Sequence, residues 1–144
     1  MNLKEKSREA LFNNFGAGKE KYSVDLKDLE GRVISFVEGL EVESEMVIIK
    51  VEGYAFVFYH DQCCCESVYL ADYELGGNLE GSMILKVEEV SHDQELRCCD
   101  SQTWTFYKIH TTHGSLWMRW MGESNGNYSE KVYLGKLAVK GELK

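Results

Sequence analysis

The chain has 144 residues, 44% hydrophobic and 12% aromatic, which is enough apolar material for the core of one domain and excludes the disordered class. Net charge is −8: residues 1–29 carry six Lys/Arg against five Asp/Glu (+1), and residues 30–144 ten against nineteen (−9). So acidic a body argues against nucleic acid and anionic membrane as partners, because both need Lys and Arg to neutralise phosphates. It suits either plain solubility or a basic protein partner.

The opening "MNLKEKSREALFNNFG" holds no apolar run of signal-peptide or membrane-span length, so a cytoplasmic protein is expected. Five cysteines, an odd number, then read as reduced thiols and not as a disulfide framework. Leu3, Ala10, Leu11 and Phe15 share a helical stripe ahead of Gly16 and Gly18, which predicts a helix over 3–15. The stretch "SVDLKDLEG" predicts a single-turn helix with Ser23 or Asp25 as cap, Leu26 and Leu29 pointing inward, and Gly31 as the stop.

From Arg32 the pattern becomes short β-branched and aromatic runs, predicting strands near 32–37, 46–52, 54–60, 67–73, 83–90, 103–112, 115–122 and 128–139. "ADYELGGNLEGS" and "SHDQELRCCDSQ" read as long loops. The expected fold is a single domain over 1–144, with an N-terminal helical segment (1–29) and a β body (30–144). It is mainly β, an antiparallel sandwich or open barrel of about eight strands, or α+β if the N-terminal helix packs on the sheet. There is no Pro, so charge or covering elements must protect the sheet edges; the oligomeric state stays open.

Two hairpins can be registered. A Glu52-Gly53 turn pairs Val51 with Tyr54, Ile49 with Phe56 and Val47 with Phe58 on a core face. A His113-Gly114 turn places Tyr107, Ile109 and Thr111 on the buried face opposite Trp120, Met118 and Leu116. The other face then holds Trp104, Phe106, Lys108 and His110 opposite Glu123, Met121, Arg119 and Trp117. Lys108 directly across from Arg119 would be unfavourable unless a carboxylate sat with them, from Glu66, Glu123, a ligand or a partner. The alternative is an exposed amphipathic face whose cations splay into water.

"YHDQCCCESVYL" invites a chemical reading. His60-x3-Cys64 has zinc-ligand spacing, with Cys98 or Cys99 as further ligands, although adjacent cysteines on a strand point to opposite faces. Cys64 or Cys65 activated by His60, with Glu66 orienting, would make a nucleophile. Packing offers a third possibility: small apolar thiols near the core, His60 and Gln62 bonding loop backbone, and Glu66 pairing with Lys108 or Arg119. In "GESNGNYSE", Asn125-Gly126 signals a hairpin turn, while Glu123, Ser124 and Asn125 could form a recognition rim.

The motifs "HDQCCCESV" (60–68), "TWTFY" (103–107) and "RWMGESNGNYSE" (119–130) together resemble a family of small uncharacterised domains found in bacteriophages, prophages and bacteria. The resemblance implies a shared site at His60, Gln62, Cys64, Cys65, Glu66, Trp104, Arg119, Glu123, Ser124 and Asn125, with Cys63 as a variable spacer, and it brings no reaction with it. The cysteines at 98 and 99 and the N-terminal segment fall outside it. The sequence therefore favours a phage-like binding domain with a mixed-charge site comprising those residues and Lys108. The alternative is a zinc-binding or Cys/His-dependent enzyme, with His60 and Cys64 as metal ligands.

Overall fold

The computed structural model describes residues 24–60, 65–95 and 100–138. Among them the β-branched and aromatic runs form eight strands: β1 (Ile34–Glu38), β2 (Met46–Val51), β3 (Tyr54–Tyr59), β4 (Ser67–Gly77), β5 (Ile84–Glu95), β6 (Ser101–Thr111), β7 (Gly114–Ser124) and β8 (Tyr133–Ala138). They pair antiparallel into two four-stranded sheets, ordered β1-β2-β3-β8 and β4-β7-β6-β5.

The inward side chains of the two sheets make one core. Val47, Ile49, Phe56 and Phe58 come from the first sheet, and Val68, Leu70, Tyr107, Ile109, Leu116, Met118 and Trp120 from the second. Phe58 and Tyr107 bring their ring centroids to 4.8 Å. Each such side chain contributes about 1.5–3 kcal/mol by leaving water. The β2/β3 hairpin has the predicted register: Val51 opposite Tyr54, Ile49 opposite Phe56, Val47 opposite Phe58. Its other face is buried too, through Met46, Ile48, Ala55 and Val57, so these two strands read as continuous apolar runs and not as an alternation.

The expectation of an N-terminal helix over a sheet, and with it the α+β alternative, is corrected. The one helical element among the described residues is a 3-10 helix, Leu26–Leu29; the helix predicted over residues 3–15 lies outside them. That short helix follows its sequence signals: Asp25 Oδ1 accepts from the Lys27 amide at 2.9 Å and Leu29 is buried.

Two predicted loops are partly strand. β4 continues through "ADYELGG" and β5 through "SHDQE". Residues 72–77 and 91–94 are exposed, so composition favoured a loop although the ladder persists.

The β6/β7 register also needs correction. The turn residues are Thr112 and His113, and Gly114 is the first residue of β7. Gly114 lies opposite Gly77, where an added Cβ would stand 2.1 Å from the Gly76 carbonyl oxygen; the glycine serves close approach of β4 and not the turn. Every partner moves by two residues, which preserves the faces and changes the opposites. Lys108 lies across from Trp117, and Arg119 across from Phe106.

Candidate functional site

The outer face of the second sheet carries Lys108, Phe106 and Trp104 on β6, and Trp117, Arg119 and Met121 on β7. The cations are not opposed. Lys108 Nζ lies 4.3 Å from the ring centre of Trp117, and Arg119 Cζ lies 4.9 Å from that of Trp104. Each charge is steadied by an indole face, so no carboxylate has to reconcile them.

Acidic groups are nevertheless present. Asp72, opposite Arg119 across a bulge in β4, approaches it to 3.9 Å between half-exposed side chains, a weak pair. Glu88 on β5 accepts from His110 Nε2 at 3.0 Å and from Lys86 at 3.2 Å. The His110 hydrogen bond, then that of Lys86, holds the Glu88 carboxyl below its ordinary range. Asp72, Glu74, Phe106, Lys108, Trp117 and Arg119 line a groove of about 170 Å³. Trp117, Phe106 and Val90 are 45%, 38% and 61% exposed, an apolar surface that the fold leaves uncovered.

A second polar constellation lies on the inward side, at the end of the sandwich where β3 finishes and β8 begins. His60 Nδ1–H donates to the Lys131 carbonyl at 2.6 Å, and Nε2 meets Glu66 Oε2 at 2.8 Å. Next along the chain, Glu130 is buried and accepts from the hydroxyls of Ser101 and Ser124 at one oxygen and from Thr103 at 2.8 Å at the other. Residues 130 and 131 thus form a strap, tied by one side chain to the second sheet and by one carbonyl to the first. Gly122 permits it: an added Cβ there would stand 2.6 Å from Glu130 Cβ.

The residues expected to share one site therefore divide between two. Trp104, Lys108 and Arg119 lie on the outer face with Glu123, whose carboxylate accepts from Gln102 at 3.2 Å. His60, Glu66 and Ser124 gather around the strap. Glu66 pairs with His60, in place of the expected Lys108 or Arg119, and the partner of Arg119 is Asp72, not Glu66 or Glu123. Asn125 accepts from the Asn127 amide at 3.1 Å within an exposed turn. Cys65 is exposed, while Gln62, Cys63, Cys64, Cys98 and Cys99 lie outside the described residues. With both ring nitrogens of His60 engaged, neither presents a lone pair to a metal ion in this arrangement. Among the described residues no group of three or more His, Cys, Asp or Glu side chains is placed to hold one.

Glu130 and Gly122, which hold the strap, were missed as site residues. Both stand in the motif "RWMGESNGNYSE", and a glutamate closing a run of hydroxyl and amide residues was the signal available.

The architecture defines a class: a two-sheet antiparallel sandwich with an exposed aromatic, mixed-charge face on one side of the second sheet and a tied polar strap on the other. The chain belongs to a family described as a domain of unknown function, DUF7448, whose model matches residues 18–134, well over half its length. No curated protein and no solved structure matches it significantly. Among the described residues no helix is long and apolar enough to cross a membrane.

Proposed function

We propose that this chain is a cytoplasmic binding module, of the phage-like origin implied by its motifs, that docks a protein partner on the outer face of its second sheet. The observation carrying this reading is the exposed set Trp117, Phe106 and Val90, interleaved with Lys108 and Arg119 held on indole rings. Trp and Arg anchors dominate interface energetics, and cations already positioned lose little freedom on binding. Carboxylates at Asp72, Glu74 and Glu88 beside those cations would fix the orientation of a partner of matching charge pattern.

Affinity capture from a bacterial lysate, read by mass spectrometry, tests it. A protein retained by the wild-type chain and by Val42→Ala, and lost on Trp117→Ala/Phe106→Ala, is the expected result. Equal retention by all three chains, or no partner on the wild type, overturns it.

A further inference from the structure

We infer that the open edge of β5 is a second docking site, which takes an extended, lysine- or arginine-bearing segment of a protein partner as an added strand. β5 is the last strand of its sheet. Near its start the edge is closed: Ile84 exchanges backbone bonds with Gly31 and Arg32, and the Val87 amide donates to Glu30 Oε2 at 3.2 Å. The Val87 N–H therefore points off the sheet, and by the period of two so do the backbone groups of Glu89, Ser91 and Asp93. Among the described residues nothing pairs with those groups, and Glu89 to Gln94 are all exposed.

The side chains beside this edge select the occupant. Glu89, Ser91 and Asp93 pair with Tyr107, Thr105 and Thr103 and point to the inward side, where they line a polar cleft of about 350 Å³ shared with Glu130. The cleft contains three carboxylates against one cation, Lys131. Thr103 has one hydroxyl proton for two oxygens, Glu130 Oε1 at 2.8 Å and Asp93 Oδ1 at 3.0 Å, so one of them always lacks that donor. A strand added at the edge would place alternate side chains over this cleft, where ammonium or guanidinium groups supply the missing donors. Its other side chains would lie beside the exposed Val90. A second copy of this chain is a poor occupant, because antiparallel β5 edges would set Glu89 and Asp93 against their own like charges.

Apart from a peripheral contact with Val90, the proposal uses none of the outer-face residues Phe106, Lys108, Trp117 and Arg119, so the two sites can fail separately. The probe is a capped heptapeptide of sequence TKVKVRG, titrated into the full chain and followed by heteronuclear NMR. Expected are shifts from Val87 to Asp93 and slowed exchange of the Glu89, Ser91 and Asp93 amides. N-methylation of one alternate set of peptide amides should abolish binding, while the other set should leave it intact. Glu89→Lys/Asp93→Lys should weaken binding about tenfold, and Ser91→Pro, which removes an outward N–H that the β6 ladder does not use, should also remove binding. Trp117→Ala/Phe106→Ala should bind the peptide as the wild type does. No detectable binding, equal binding of a glutamate-for-cation peptide, equal binding of both methylated peptides, shifts centred on Phe106 and Trp117, or an edge-paired dimer of the chain alone would each overturn the proposal.

Discussion

His60 stands between two oxygens: Nδ1 lies 2.6 Å from the Lys131 carbonyl and Nε2 lies 2.8 Å from Glu66, with the two side chains 3% and 0% exposed. A carbonyl only accepts, so Nδ1 carries a proton and the contact with Glu66 must hold another. His60→Ala removes both bonds and unties the strap from the first sheet, at an expected cost of about 3 kcal/mol in urea unfolding. Glu66→Gln can donate its amide to Nε2 of the neutral ring and should cost about 1 kcal/mol. Equal losses would contradict this placement of the protons.

Gly122→Ala tests the other tie. The new methyl would meet the Cβ of Glu130 at 2.6 Å and its carbonyl oxygen at 2.8 Å, atoms whose position the three hydroxyl bonds fix. The strap must lift or β7 must bend, at about 2 kcal/mol. Calorimetry should show a lowered Tm, and Glu130→Ala/Gly122→Ala should cost less than the sum of its single changes, since truncating Glu130 frees the strap to move.

What could be read from the sequence follows from the range of each interaction. The β2/β3 register came from a Glu-Gly turn between apolar runs, both local signals. At β6/β7 the same logic took Gly114 for a turn residue, because its requirement comes from Gly76 and Gly77 on another strand, invisible to local pattern. Alternation survived the shift, so Trp104, Lys108 and Arg119 were assigned to the right face with the wrong opposites. The His60–Lys131 bond spans 71 residues and no periodicity encodes it. Part of the expectation was still sound: a histidine bonding loop backbone was foreseen, and only its partner loop was not.

The tryptophans of β7 should behave oppositely. Trp117 is half exposed beneath Lys108, whereas Trp120 is fully buried between Leu70 and Thr105. Trp117→Ala loses one cation–π contact and little buried area, so unfolding should shift by less than about 1 kcal/mol. Trp120→Ala opens a core cavity and should cost about 4 kcal/mol. A large loss at Trp117 would mean that the outer face serves stability, and the reading of it as a docking surface would fall.

Asp28 makes the fold sensitive to acid. Lys136 on β8 lies 2.9 Å from one carboxylate oxygen and Arg32 lies 3.1 Å from the other, and both cations also rest on the rings of Tyr54 and Phe56. The hydrogen bond from Lys136 is the largest cause holding the Asp28 carboxyl below 3.8, with Arg32 adding to it against some desolvation. A carboxyl whose folded value is depressed stabilises the fold fully above its unfolded value and loses that contribution as pH falls through the folded one. Asp28→Asn should therefore be less stable than the wild type by a constant amount above about pH 5, and the gap should close below about pH 4. The carboxylate is about a third exposed, so added salt should narrow the neutral-pH gap as well. Urea midpoints of both chains across this range check the sign. A gap that stayed the same across this range would mean that Arg32 and Lys136 are held by the aromatic rings alone, with Asp28 a bystander, and one that widened on acidification would reverse the sign of the Asp28 contribution.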